Sequence, residues 1–328
     1  MGETSMKTTR AILAALLLAG FVSGARAADD YPNRPITWVV PFAAGGSTDI
    51  YARFLAKFLR DKLGQPVIVE NKPGAGSIVG GEFVAGSKPD GYTFLYGSNT
   101  NLVTHEFIAK KPSYDPKTAL LPFHGLQSSP PSLIARADAP FKDLTELVAY
   151  AKANPGKVNY ATPGVNSSPH IIMELFMLEA GISMTHIPYK GESLSMADML
   201  KGLVDISFIY PQLYQGQIDD GKLRLLGVPG TQRLSSQPNV PTFAERGLPG
   251  VVYGNWAVMA LPAGTPAPVV SKLTDAFTAL LKEPEVIKYF TDQGAVVMPL
   301  TGKALTDFLT SERVRIKEIV TRANIQPE

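Results

Sequence analysis

Two short stretches of the chain have the residue types of an anion-binding loop. In the first, the β-rich run Ile36-Thr37-Trp38-Val39-Val40 passes through Pro41-Phe42-Ala43-Ala44-Gly45-Gly46 into Ser47-Thr48-Asp49, where small residues open a helix. The first N–H groups of a helix have no intrahelical partner, and the helix dipole adds roughly +0.5 charge there, so a carboxylate or phosphate can dock without any Lys or Arg. The same residues also suit an ordinary βα turn in which Ser47 caps its own helix. The second stretch repeats the pattern: Lys157 to Ala161 reads as a strand, Thr162 to Ser168 as its turn and Pro169 to Ala180 as its helix. Ser168 stands at the N-cap, Pro169 at the first helical position and Gly181 just past the end. Gly164, Val165, Asn166, Ser167 and Ser168 are therefore candidates of the same kind as Phe42, Ala44, Gly45, Gly46, Ser47 and Thr48.

The remaining candidates are single side chains. Asp49 suits the first helical turn, but it would repel an anionic ligand unless it turns away or meets a ligand amine or water. His170 lies in the first turn of the second helix, where it either braces the loop or donates to the ligand. Lys190, in Pro188-Tyr189-Lys190-Gly191, is the cation expected nearest the cleft, and Asp205, just before Ile206, either holds a ligand hydroxyl or amine or braces a loop. Ser98 and Asn99 end a strand and can contact a second carboxylate, while Phe42, Tyr210 and Trp256 are aromatic wall or core. His105, His124 and His186 are scattered, and without cysteine they make no metal signature. No catalytic residue, metal ligand or cofactor is expected.

These loops need elements to position them. Ile50, Phe54, Leu55, Phe58, Leu59 and Leu63 recur at helical spacing, with Gly64 as the residue after the helix. Pro66 to Glu70 and Tyr92 to Tyr96 read as strands, with a small-residue helix from Gly76 to Ala85 between them. Such alternation predicts an α/β fold with mostly parallel sheets flanked by helices, and ligands on such sheets sit beyond the carboxyl ends of strands. Asp143 and Glu146 cap a helix that runs to Ala153, where a second α/β unit begins. Tyr253 to Leu261 is again strand-like, and helices follow over Pro268 to Leu281 and Leu305 to Asn324. If these tail helices pack on the first unit, the chain crosses between lobes twice and forms a hinge. The expected division is 1–27 as a signal peptide, 28–130 with 253–328 as one lobe, and 131–252 as the other.

Composition narrows the function classes. Lys7 and Arg10, the apolar run from Ala11 to Val22 and Ala25-Arg26-Ala27 have the three parts of a cleaved secretory signal. Its removal takes the net charge from +2 to zero, which argues against a nucleic-acid partner. No later stretch approaches the ~20 apolar residues that span a bilayer, and with no cysteine there is neither a disulfide nor a lipidated N-terminus. A bacterial periplasm, and a chain that is not inserted in a membrane, fit best.

An ordered set of motifs resembles the tripartite tricarboxylate transporter receptors, the Bug (TctC-like) family of periplasmic solute-binding proteins. It includes Tyr31-Pro32-Asn33-Arg34-Pro35, Val69-Glu70-Asn71-Lys72-Pro73-Gly74-Ala75-Gly76, Pro89-Asp90-Gly91-Tyr92-Thr93, Tyr189-Lys190-Gly191, Gly202 to Asp205, Val240 to Glu245 and Pro262 to Pro266. The resemblance implies a two-lobed Venus-flytrap, type II-like binding protein without catalysis. It further implies that a small organic carboxylate is held between the two βα loops, largely by backbone N–H groups and water. Delivery to the large and small membrane subunits of a transporter, by a monomeric receptor, is implied as well. The second loop departs from the pattern, because Pro163, Asn166 and Pro169 make it less glycine-rich. Di- and tricarboxylates, acidic amino acids and aromatic carboxylates such as terephthalate all suit such a scaffold, and the neutral polar pocket edge with aromatic flanks leans toward a dicarboxylate, with or without a ring. A periplasmic sensor signalling to a membrane kinase is the alternative. A nucleotide-dependent α/β enzyme fits less well, because Gly74-Ala75-Gly76 lacks the spacing of a dinucleotide or phosphate loop.

Overall fold

The computed structural model describes residues 31–234 and 236–325, so the predicted signal segment lies outside the described residues. Eleven strands follow in order: β1 (Ile36–Val40), β2 (Val67–Asn71), β3 (Thr93–Ser98), β4 (Leu120–Ser129), β5 (Ser132–Arg136), β6 (Asn159–Thr162), β7 (Thr185–Pro188), β8 (Ile206–Ile209), β9 (Leu223–Gly227), β10 (Asn255–Pro262) and β11 (Val296–Val297). They form two sheets, ordered β11-β4-β10-β3-β1-β2 and β7-β6-β8-β5-β9. Each sheet is the centre of one lobe.

Both sheets are mixed, where the alternation of elements predicted mostly parallel ones. The parallel part is the βα core, β3-β1-β2 in the first sheet and β7-β6-β8 in the second. The antiparallel strands are those next to the crossings: β4 leads out of the first lobe, β5 enters the second, and β10 returns. A strand that leaves a sheet and one that comes back on the same side must run in opposite senses, and this part carries no alternating-helix signature in the sequence.

Local chemistry accounts for the helices that matter. Helix Ser47–Leu63 ends at Gly64, whose φ of 68° lets its N–H bond the Arg60 carbonyl, and it buries Tyr51, Leu55 and Leu59 on the sheet. Trp38, Phe94, Phe123 and Phe277 pack edge-on and tilted beneath it, with the Ala267–Leu280 helix as the other wall. Helix Leu144–Ala153 begins as predicted, the Asp143 carboxylate accepting from Glu146 N–H at 2.9 Å. A second apolar cluster runs from Val39, Leu95 and Trp256 through Ile316 to Leu133, Phe176 and Phe208. It joins the two lobes through the tail helix Gly302–Arg322, so the two crossings are backed by continuous buried side chains.

Candidate functional site

The carboxyl ends of β1, β3 and β6 bring the two predicted loops to opposite sides of one cavity of about 80 Å³, enough for a small molecule or several waters. From the first lobe come Phe42, Gly46, Ser47, Thr48, Ser98 and Asn99; from the second come Ser168 and Tyr210. All eight were predicted as site residues. Tyr51, Tyr96, Phe208 and Trp256 make most of the aromatic wall, and Gln127, Ser195, Ser207 and Asn255 add polar groups.

The lobes touch across this cavity. A Cβ on Gly164 would sit 2.9 Å from Gly76 N, and one on Gly76 would sit 2.6 Å from Val165 O. Gly191 abuts Ala43 in the same way, and Ser193 Oγ donates to Ala44 O at 3.3 Å. Glycine at these points lets backbone meet backbone.

Several predicted residues support the loops from behind. Asp49 turns away from the cavity: Gly45 N–H donates to it at 2.9 Å, Arg53 Nε at 3.0 Å and Asn71 Nδ2 at 3.0 Å. Burial alone would raise its pKa, but Arg53, Gly45 and Asn71 together hold the carboxyl below its usual range. Asp49 is thus the brace that shapes the turn. Ser47 is the first helical residue and does not cap, because Gly46 holds the cap position and the Ser47 hydroxyl leaves the helix for Glu192 Oε2, 2.9 Å away. In the second loop the cap position belongs to Ser167, one residue earlier than predicted. Ser167 Oγ donates to Gly164 O at 2.7 Å, and Asn166, at φ 61°, gives its N–H to His170 Nδ1 at 3.1 Å. His170 therefore acts on the loop rather than facing the cavity.

Two predicted residues lie elsewhere. Asp205 stands before the first residue of β8, the amino end of a strand whose carboxyl end faces the cavity, and there it accepts from Arg136 Nε at 2.9 Å and Asn159 N–H at 2.8 Å. It was expected near the ligand and is an ion-paired brace at the opposite edge. Lys190 is exposed and does not line the cavity. The ammonium keeps its water while the adjacent Gly191 makes the interlobe contact. Sequence reasoning also missed Glu192, which opens helix Glu192–Leu200 and lines the cavity. Its signal was an acidic residue right after a strand–glycine motif, the usual place for a carboxylate in a first helical turn.

A family model, the tripartite tricarboxylate transporter family receptor, matches residues 51–325. The chain belongs to this family. It is similar to the solved periplasmic binding protein BugD, 34% identical, with a TM-score of 0.86 over 91% of this chain and 100% of that one. A Rhodopseudomonas palustris protein solved with adipate is 28% identical, with a TM-score of 0.87 over 91% of this chain and 100% of that one. MatC from the same organism, solved with malate, is 31% identical, with a TM-score of 0.83 over 88% of this chain and 100% of that one. Family and fold are those of solute-binding receptors. No helix among the described residues is long and apolar enough to cross a membrane.

Histidines tie this receptor site to pH. His170 and His186 stack with centroids 4.3 Å apart, His186 Nε2 lies 2.7 Å from Thr162 Oγ1, and Thr162 Oγ1 in turn bonds Gly164 O. Burial lowers both imidazoles to about 4, with the neighbouring His186 adding to the effect on His170. A histidine whose folded pKa is depressed gives stability that is fully present above its unfolded pKa of ~6.5 and is lost as pH falls toward the folded value. Glu174, whose carboxyl burial raises, works in the opposite sense and trims the slope. Urea unfolding between about pH 7 and about pH 4.5 should show a loss of about 2–4 kcal/mol, with a visibly smaller slope in His186→Gln. An unchanged slope in that variant would remove the stacked pair from the titration.

Proposed function

We propose that the chain is the periplasmic receptor of a tripartite tricarboxylate-type transporter, exported by the 1–27 segment, and that it captures a small organic carboxylate between its lobes. The reading rests on one observation above others: the opening turns of two helices, Ser47-Thr48 from one lobe and Ser168-Pro169 from the other, line a single cavity. Helix starts supply N–H groups and positive dipole ends without a fixed cation, as a receptor that must release an anion requires. Adipate and malate in the two related structures are carboxylates of suitable size. The lobes are taken as 28–130 with 253–328 and 131–252, hinged at the two crossings. Each charge-assisted backbone bond contributes about 1.5–3 kcal/mol, so a few of them shift an open population toward the closed form that the two membrane subunits recognise. No step in this cycle makes or breaks a covalent bond.

Titration calorimetry of the purified protein with carboxylates and their matched primary amides tests the reading. The acids should bind at least about tenfold more tightly, the equivalent of a single charge-assisted bond. Equal affinity for the amides would show that the cavity does not select an anion.

A further inference from the structure

The cavity already holds a carboxylate of the protein's own. Glu192 reaches across from the second lobe to the start of helix Ser47–Leu63, where Ser47 Oγ donates to Oε2 at 2.9 Å. Tyr210 N–H donates to Oε1 at 3.4 Å. The groups bonded to it are hydroxyl and amide, none of them a cation, and burial pushes its carboxyl above the usual range. The first of the two anion positions is therefore filled from within.

The polar groups around the rest of the cavity point the same way. Gln127 spends its amide N–H on Tyr96 OH and Asn255 spends its own on Tyr210 OH at 3.0 Å, which leaves the buried oxygens Gln127 Oε1 and Asn255 Oδ1 without donors. Tyr51 OH and Ser98 Oγ are also buried and unpaired. Gln127 is 3% exposed and Tyr51 is 1% exposed, and both line the cavity, so a ligand is their available partner. Gln127 Oε1, Asn255 Oδ1 and Glu192 make three acceptors in one cavity, while the Tyr51 and Ser98 hydroxyls can also donate to a ligand carboxylate. Buried acceptors require donors, and a site built to bond a donor rejects an analogue lacking it.

We infer that Glu192 sets the ligand class: the receptor takes a monocarboxylate whose far end carries a hydrogen-bond donor, an ammonium or a neutral amide or hydroxyl, in preference to a dicarboxylate. The ligand carboxylate sits at the start of helix Ser168–Ala180, the donor end faces Glu192, and Phe42, Tyr51 and Phe208 enclose the carbon skeleton. A second carboxylate at the Glu192 end would bring like charges together in a partly desolvated cleft, which costs most where water is scarce. This inference rests on the carboxylate-receptor reading and replaces its dicarboxylate preference.

Calorimetry with three matched series separates the possibilities: adipate, adipamate, aminocaproate and caproate; succinate, succinamate, aminobutyrate and butyrate; terephthalate, terephthalamate, aminomethylbenzoate and toluate. In the wild-type protein the donor-bearing acids should bind at least about tenfold more tightly than the diacid of at least one series. Glu192→Gln should erase or reverse that ratio while the melting temperature stays within a few degrees, and Glu192→Asp should keep it. Diacids bound as tightly as their donor-bearing partners in all three series, or a Glu192→Gln variant that weakens every member equally, would overturn the role of Glu192 and leave the carboxylate receptor standing. Full amides bound as tightly as acids would overturn both.

Discussion

Gly164→Val should lower the affinity for a carboxylate ligand about ten- to a hundredfold, and the loss should sit in closure rather than in folding. A Cβ at 164 would lie 2.9 Å from Gly76 N and 3.0 Å from Gly76 Cα, backbone atoms of the other lobe that cannot swing aside. Overpacking of this kind costs about 1–3 kcal/mol, and it is felt only when the lobes meet, so it weighs against the closed form alone. Gly164 also has φ +143°, a conformation open to glycine, and that strain of about 1–3 kcal/mol is carried by open and closed forms alike. Gly181→Val separates the two contributions: its φ is +62° and nothing lies within 4 Å of its Cβ position. It should lose stability and keep its ligand affinity. Calorimetry paired with small-angle scattering, with and without ligand, reads both. If Gly164→Val closed on ligand with wild-type affinity, the contact between Gly76 and Gly164 would be incidental to binding.

The legibility of this site in the sequence follows from which elements announce themselves. The first loop could be read because a strand of β-branched residues, a glycine pair and a helix with an i, i+3, i+4 apolar stripe are local signals, and all are present at Ile36–Val40, Gly45-Gly46 and Ser47–Leu63. The second loop could be read as its echo. Gln127, Asn255 and Tyr96 could not, since they are brought together only by the antiparallel pairing of β10 with β3 and β4. Asp205 and Glu192 show the other limit. Both are acidic residues close to a strand or helix start, and only the strand's direction decides that one faces an Arg136 brace and the other the cavity. Side-chain identity named the chemistry; topology assigned it to an edge.

The largest expected loss of stability lies away from the loops, at Glu312 on the tail helix. Glu312 accepts from Trp256 Nε1 at 2.6 Å and from Arg315 Nε and Nη2 at 2.9 and 2.6 Å. The Arg315 guanidinium in turn lies over the Tyr253 ring at 5.1 Å, and Trp256 N–H donates to Asn99 Oδ1 at 3.2 Å. The crossing segment that returns to the first lobe is thus held by one carboxylate and one arginine. Glu312→Ala would strand the Trp256 indole N–H and leave the arginine without its counter-charge. Breaking a buried pair costs about 3–5 kcal/mol, and because the Arg315 side chain is 32% exposed, about 2–4 kcal/mol is the better expectation. Glu312→Gln, which can still accept from Trp256, should lose about half as much. The double variant Glu312→Met with Arg315→Met should recover only the part that comes from the uncompensated arginine, about half, because the buried Trp256 indole N–H stays without its acceptor. Denaturant unfolding of the three variants measures this directly, and a single-variant loss below about 1 kcal/mol would mean the pair is screened as a surface pair is. Because Trp256 also lines the cavity, ligand affinity should fall with stability in Glu312→Ala and stay low in the double variant, whereas Glu312→Gln, which keeps an acceptor for the indole, should retain most of it.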